Sequence, residues 1–468
     1  AKHHDKAGLT VRKIKRDEIE ASGAHTTAEL LEAEPAIHAT TGSRGERIFS
    51  MRGFSQRQVT VLVDGAPAYV PYDGQVDLNM LPSELVEQIT VIKGPGSVLY
   101  GPNGPGGAVN IVTRRPGTGP TAEITAETGR SNHLRLTAYH TLQVTDEVAY
   151  TIHGGYTQQD NFALSSAYAP HPGEDGGLRE NSDRRSYNLG ARLMASPAED
   201  HLLEAGLSLV DSDRGVPGST AYATPRFWRF STWRALNASL AHKGRYLSSL
   251  EIDEQLFVSL FDNLLDAFDD ETFTTQVSPM AFHSWYHDQI VGGRVRLQQR
   301  WQQTPWGPTA LRVWASVQHD RHQRDDEDGT PELKSDRTIV TVAPEVEAAL
   351  ARWLRVTVAL QLDIEAPSGV AETAVGLGPL VSLRFDPSED LLVQATAARR
   401  TRFPTLRERY SSASGFREPN PTLRPEVAWN FGLEAAWLAT SWLLVQGAAF
   451  DAEVRDLIER VPLGDGID

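Results

Sequence analysis

Two cations stand where chemistry would need them: Arg52 in Met51-Arg52-Gly53-Phe54 and Lys93 in Ile92-Lys93-Gly94-Pro95. Both sit beside apolar residues and glycine, so each would carry charge into a crowded interior, where it needs a carboxylate or water. The glycines suggest a phosphate cradle, but no Gly-Lys-Ser/Thr follows and no Gly-x-Gly-x-x-Gly opens a helix. Tight turns and close backbone approach are what they serve. His283 and His287 are four apart, but in a segment that reads as loop leading into strand, so helical spacing gives no shared face and no metal site is expected. No Ser/His/Asp arrangement or isolated carboxylate pair stands out from the acidic background, and the chain has no cysteine. Neither an enzyme nor a cofactor is expected.

The elements that position these residues change character near residue 117. Before it, helix and strand signals mix. Thr26-x-x-Glu29 is a capping-box pattern ahead of Leu30 and Leu31, and Pro82-Ser83-Glu84 predicts a second short helix. Val59–Val63, Ile89–Ile92 and Ala108–Val112 read as compact apolar strands among Gly- and Pro-rich turns, so residues 1–117 predict a small α/β domain. After Arg114-Arg115-Pro116-Gly117, period-two alternation takes over, as in Leu134, Leu136 and Ala138 against Arg135, Thr137 and Tyr139. Residues 118–468 predict about fifteen antiparallel strands.

Short and long connections take turns along those strands. Short links fall at 144–147, 196–200, 243–246, 302–308, 351–353, 386–389 and 439–441. Long polar ones fall at 158–183, 211–231, 259–284, 319–335 and 398–426, with 363–372 of middling length. A sandwich has no reason for this asymmetry, whereas a transmembrane barrel does. Trp301, Trp306, Trp353, Trp437 and Trp442 stand at the short links, as an interfacial aromatic girdle would. No stretch approaches the roughly 18 apolar residues of a membrane helix, which leaves a barrel open. A net charge of -16 argues against nucleic acid.

The first 117 residues resemble the plug of TonB-dependent outer-membrane receptors. The resemblance rests on Glu18-Ile19-Glu20-Ala21-Ser22-Gly23 with Ala28-Glu29-Leu30-Leu31, on Met51-Arg52-Gly53-Phe54, on Val61-Leu62-Val63-Asp64-Gly65, and on Ile92-Lys93-Gly94-Pro95 through Gly106-Gly107-Ala108-Val109-Asn110-Ile111-Val112. Arg402-Phe403-Pro404-Thr405-Leu406-Arg407-Glu408 and Asn420-Pro421-Thr422-Leu423-Arg424-Pro425-Glu426 are similar to a pair of segments late in these barrels. The fold implied is an all-β antiparallel barrel of the 22-stranded type, incomplete here, around an α/β plug.

The resemblance also implies roles. Arg52 and Lys93 would pair with barrel glutamates, with Glu434 the candidate because alternation sends Phe431, Leu433, Ala435 and Trp437 to lipid; Glu426 shares its parity. The plug apices Ser43-Arg44-Gly45, Ser55-Gln56-Arg57 and Tyr69-Val70-Pro71-Tyr72 would meet the ligand, and the arginines and aromatics suit an anionic iron chelate with flat chelating groups. Barrel-loop candidates are Arg214, Tyr222, Arg226, Trp228 and Trp285. The expected function is import of a ferric siderophore across the bacterial outer membrane by a monomer set in lipid and lipopolysaccharide, driven by TonB with ExbB and ExbD. Cobalamin or another metal chelate is the alternative. Haem fits less well, since no histidine lies between Phe403 and Asn420. A ligand-gated signalling receptor would carry an extra N-terminal domain not among these residues. The TonB box would lie upstream of the residues given, and further closing strands would follow Asp468.

Overall fold

The computed structural model describes residues 10–94, 98, 101–117, 120–170, 174–218, 226–326, 333–412 and 418–461. The N-terminal part holds a five-stranded sheet in the order Val11–Lys15, Val86–Lys93, Gly107–Thr113, Val59–Val63, Ala66–Pro67. A second sheet joins Ile37–Thr41, Arg47–Met51 and Phe54–Ser55. Leu31, Met51, Ile89, Val91, Val109 and Ile111 are wholly buried between these layers and the helices. Burial of each such side chain stabilises the domain by about 1.5–3 kcal/mol. Gly107, at φ 125°, lies so close to the Ile92 carbonyl that a Cβ would collide with it.

The helix Thr27–Glu32 starts at Thr26, whose hydroxyl accepts the Glu29 N–H. Glu29 in turn accepts the N–H of His25 and not that of Thr26, so the capping box is displaced by one residue. A helix at Arg16–Ser22 precedes it and stops at Gly23 in the left-handed region. The helix expected from Pro82-Ser83-Glu84 is a single 3₁₀ turn, Ser83–Leu85, because the strand Val86–Lys93 takes the chain immediately.

Among the described residues, fifteen antiparallel strands follow in strict chain order from Thr121–Gly129 to Leu443–Arg455. The alternation of links holds, but the strands reach further than apolar alternation suggested. The connection expected at 211–231 shrinks to 217–227, between His201–Val216 and Trp228–Tyr246. The short link expected at 243–246 moves to 247–249. The longest strand, Phe282–Trp301, has 20 residues. At about 3.3 Å per residue and a tilt of about 45° it spans about 47 Å, well beyond the roughly 25 Å apolar band of such barrels. The excess projects on the long-loop side and walls a vestibule above the plug.

Outward-facing residues form a continuous apolar band, including Leu136, Ile152, Leu189, Leu193, Leu207, Leu256, Val358, Leu377 and Leu433. Trp301, Trp306, Trp353, Trp437 and Trp442 are all exposed at the short-link end. A patch of that extent is stable against hydrocarbon and not against water, so the wall spans a membrane. Leu193 lies outward near mid-band, and Leu193→Arg is expected to lower folding stability in lipid vesicles by about 2–4 kcal/mol. Denaturant titration against the outward but loop-proximal Tyr187→Arg, which should cost far less, checks this.

Candidate functional site: the plug apex

The apical loop 66–77 follows the short strand Ala66–Pro67 and turns at Gly74, whose positive φ lets the chain pass tightly under Thr405. That turn presents Asp73 as a hub. Arg407 Nη1 lies 2.5 Å and Arg44 Nη1 3.3 Å from its carboxylate, and Arg57 Nε donates to its carbonyl at 2.7 Å. Burial alone would raise the Asp73 carboxyl, but the guanidiniums of Arg407, Arg44 and Arg57 outweigh it and hold the group far below the usual carboxylate range. Burial likewise opposes the charge on Arg44, and Asp73 beside it overrides that and raises its pKa. Three guanidiniums thus converge on Asp73, with Glu46 on the Arg44 N–H and Glu408 near Arg57 as further carboxylates at this point. Arg44, Asp73 and Arg407 keep 14%, 18% and 17% of their side-chain surface exposed, so a ligand entering the vestibule can reach them.

Aromatic rings frame this hub. The guanidinium of Arg44 lies 5.4 Å from the ring centroid of Tyr286, and Tyr286 lies 5.9 Å from Tyr72. Tyr72 stacks on His322 at 4.1 Å and 16°. Asp288 locks that arrangement by accepting from Tyr72 N and from His322 Nδ1, each at 3.1 Å.

A second set of contacts straps the apex to the wall. The Tyr69 hydroxyl donates to Asp320 at 2.8 Å, and Arg337 Nε reaches the same carboxylate at 2.9 Å. Arg337 also donates to Glu365 at 3.1 Å and to the Pro404 carbonyl at 2.7 Å, and Arg409 reaches Glu365 at 2.8 Å. Arg409 belongs to the helix Leu406–Tyr410, whose capping box between Thr405 and Glu408 fixes its start. This late-barrel segment folds inward and clamps the loop carrying Tyr72 and Asp73.

The candidates therefore separate. Arg44 and Arg57 converge on Asp73, and Tyr72 lies beside them but buried against the wall. Tyr69 is turned to the wall through Asp320 and Gln318. Gln56 is corrected: both ends of its amide are taken by the backbone of Val76, so it is a buried staple of the plug. Arg214 is on the strand His201–Val216 and not in a loop; it points inward, pairs with Asp77 and lies 4.3 Å from the Trp233 ring centroid. Arg226 is exposed and lies over Trp228. Trp285, expected in a barrel loop, lies on the strand Phe282–Trp301 and stacks on His287 on the outer face of the wall, while its neighbour Tyr286 points inward. Tyr222 lies outside the described residues.

The expected pairing of Arg52 and Lys93 with Glu434 holds only in part: burial opposes the charge on Arg52 and nearby Glu434 favours it, but no direct ion pair joins them, and Lys93 has another partner. Arg52 donates to the Lys93 carbonyl at 2.9 Å and lies 4.5 Å from the Phe450 ring centroid, while Lys93 pairs with Glu34 at 3.7 Å inside the plug. Glu434 does face inward, but it accepts from both Thr10 N at 2.8 Å and Thr10 Oγ1 at 2.7 Å. Glu426 binds Arg402 and Gln58, which makes it a plug–barrel contact. Residues missed in the sequence are Asp73, Tyr286, Asp288, His322 and Arg407.

Thr10 directly precedes the edge strand Val11–Lys15, so Glu434 fastens this strand of the plug to the barrel wall. Hydrogen bonds to a charged group contribute about 1.5–3 kcal/mol. Glu434→Ala is expected to speed amide hydrogen exchange across Val11–Lys15 by roughly 10–100-fold while exchange in Gly107–Thr113 stays slow.

Comparison with known proteins agrees with this architecture. Residues 4–108 match the TonB-dependent receptor plug domain, and residues 373–468 match the TonB-dependent receptor-like β-barrel. The chain belongs to the TonB-dependent receptors of the bacterial outer membrane. It is 24% identical over 484 residues to the iron-regulated outer membrane virulence protein of Vibrio cholerae serotype O1, covering 97% of this chain and 67% of that protein. It is 26% identical over 178 residues to the vitamin B12 transporter BtuB of Vibrio vulnificus, covering 37% of this chain and 28% of that one. The solved structure of the copper transporter OprC superposes with a TM-score of 0.78 at 16% identity, covering 96% of this chain and 71% of that one. The siderophore receptor PirA from Acinetobacter baumannii gives 0.78 at 15%, covering 97% and 71%. At such identities the solved structures show a shared fold.

Proposed function

We propose that this receptor imports an anionic ferric chelate of the siderophore class, captured at the plug apex and released by TonB, with ExbB and ExbD, acting on the plug from the periplasm. The observation that carries the reading is the convergence of Arg44, Arg57 and Arg407 on Asp73 beside Tyr286. Guanidiniums complement the carboxylate, hydroxamate or catecholate oxygens of such a chelate, and the ring offers a face to its flat groups. The iron-regulated V. cholerae relative and the siderophore receptor PirA support the same class of cargo. The receptor works as a monomer.

Equilibrium binding of ferric catecholates, ferric hydroxamates, cobalamin and haem to the purified receptor tests the proposal. Saturable binding of an anionic ferric siderophore, in preference to the other two, is the expected outcome. Preferential binding of cobalamin or haem would reject it.

A further inference from the structure

We propose a phospholipid site on the outer wall of the barrel, near its short-link end, built by His201, His242 and Glu254 and specific for an aminophospholipid of the periplasmic leaflet. The three residues face outward. His242 pairs across the ladder with Leu203 and Glu254, and Glu254 with Val295, and exposed Leu203 marks that face as the lipid side. His242 Nδ1 lies 3.2 Å from Glu254 Oε2, and His242 Nε2 lies 3.1 Å from His201 Nδ1, which makes a hydrogen-bonded chain. The exposed Tyr246 sets its ring edge-on to His201 at 5.1 Å.

The level of this cluster in the wall is unusual for polar groups. His242 and Glu254 lie four residues in from the strand ends Tyr246 and Leu250. At about 3.3 Å per residue and a tilt of about 45° that is roughly 10 Å inside the strand ends, on the hydrocarbon side of the aromatic girdle. Ionisable side chains facing lipid are costly unless they are paired or meet a polar partner. The two ends of this hydrogen-bonded chain each have a remaining polar valence, while both ring nitrogens of His242 are taken. Glu254 keeps more than half of its side chain exposed, and His201 Nε2 has no hydrogen-bond partner among the described residues. An ammonium would suit the first. A phosphate oxygen suits the second in the arrangement where His242 donates from both ring nitrogens, to Glu254 and to His201 Nδ1, which leaves the His201 N–H on Nε2, so the complement is zwitterionic.

An apolar groove continues from the cluster toward mid-membrane. Its floor is lowered at Gly293 and Ala315, and Leu240, Leu256, Val295, Val317 and Val342 form its sides. A Cβ at Gly293 would press on Leu256 at 3.0 Å, so the depression depends on glycine there. A headgroup cradle running into a groove fits one lipid with its acyl chain laid along the wall, and the Coulombic match selects phosphatidylethanolamine over phosphatidylglycerol.

Native mass spectrometry of the purified receptor in a mixture of these two lipids with matched acyl chains tests the site. The wild type should retain one phosphatidylethanolamine in about tenfold preference, the worth of one charge-assisted contact. Glu254→Gln should abolish the preference, whereas His201→Ala, which removes the contact to the phosphate both lipids share, and Gly293→Leu, which fills the groove, should each lower retention of both lipids. Heat-modifiable migration verifies that each variant is folded, and outward-facing changes leave the plug untouched. Equal retention of the two lipids by the wild type, an unchanged preference in Glu254→Gln, or unchanged retention of both lipids in His201→Ala would overturn the proposal. So would a wild-type dimer that these variants dissociate, since the wall would then be an interface between copies.

Discussion

Glu365→Ala lowers the stability of the plugged receptor by about 3–5 kcal/mol, the expected cost of leaving buried cations without their carboxylate. Glu365 is wholly buried and bridges Arg337 on the strand Leu333–Ala351 to Arg409 on the inward-folded helix. Arg337 retains Asp320 and the Pro404 carbonyl after the change, but Arg409 loses its ion pair, and its Nε and Nη1 already lack partners. The damage should therefore concentrate on the strap and not spread through the barrel. Thermal unfolding followed by heat-modifiable migration gives the magnitude, and limited proteolysis locates it, with new cleavage expected around residues 403–412. Glu365→Gln, which keeps hydrogen-bond acceptance without charge, should fall between the two. A melting temperature equal to the wild type would show that the strap does not hold the apex.

Arg44→Gln is the second large effect, and it acts on ligand and not on fold. Arg44 is the hub guanidinium carried by the plug's own loop and placed over Tyr286, and Arg407 still holds Asp73 when Arg44 is gone. Losing one charge-assisted contact to an anionic chelate costs about 1.5–3 kcal/mol, a drop in affinity of roughly 10–150-fold. Arg44→Lys should recover part of it, since the point charge survives while the planar fork and the ring contact do not. Ligand affinity measured by fluorescence quenching, with melting temperature as the control, separates this from misfolding. An affinity within about twofold of the wild type would remove Arg44 from the site.

The architecture was legible because two independent signals agree: plug motifs that few other folds need, and a period-two pattern whose links alternate in length. What escaped has physical causes. The strand His201–Val216 runs on through Asp211, Ser212, Asp213 and Arg214, because above the membrane both faces of the wall are wet or polar and the apolar rhythm vanishes. That is why Arg214 read as a loop residue. Trp285 and Tyr286 differ by one position, and a one-residue change of register exchanges the faces, so only the pairing of Asp262 with His287 settles which ring enters the vestibule. Arg52 and Glu434 act on one another through space without a direct ion pair, because charge and parity do not reveal distance: Arg52 is held on a left-handed backbone at φ 51° and donates to the Lys93 carbonyl within the plug. Asp73 and Arg407 lie 334 residues apart in the chain, and no local pattern joins them.

The proposed importer is a plugged receptor that would need an external energy source to pass its cargo. Uptake of a radiolabelled ferric siderophore by cells carrying the receptor, measured with and without a protonophore, tests it most directly. The account predicts saturable uptake that falls to background when the proton-motive force collapses, while surface binding persists. Uptake that is unsaturable, or that continues at the same rate without the force, would contradict it.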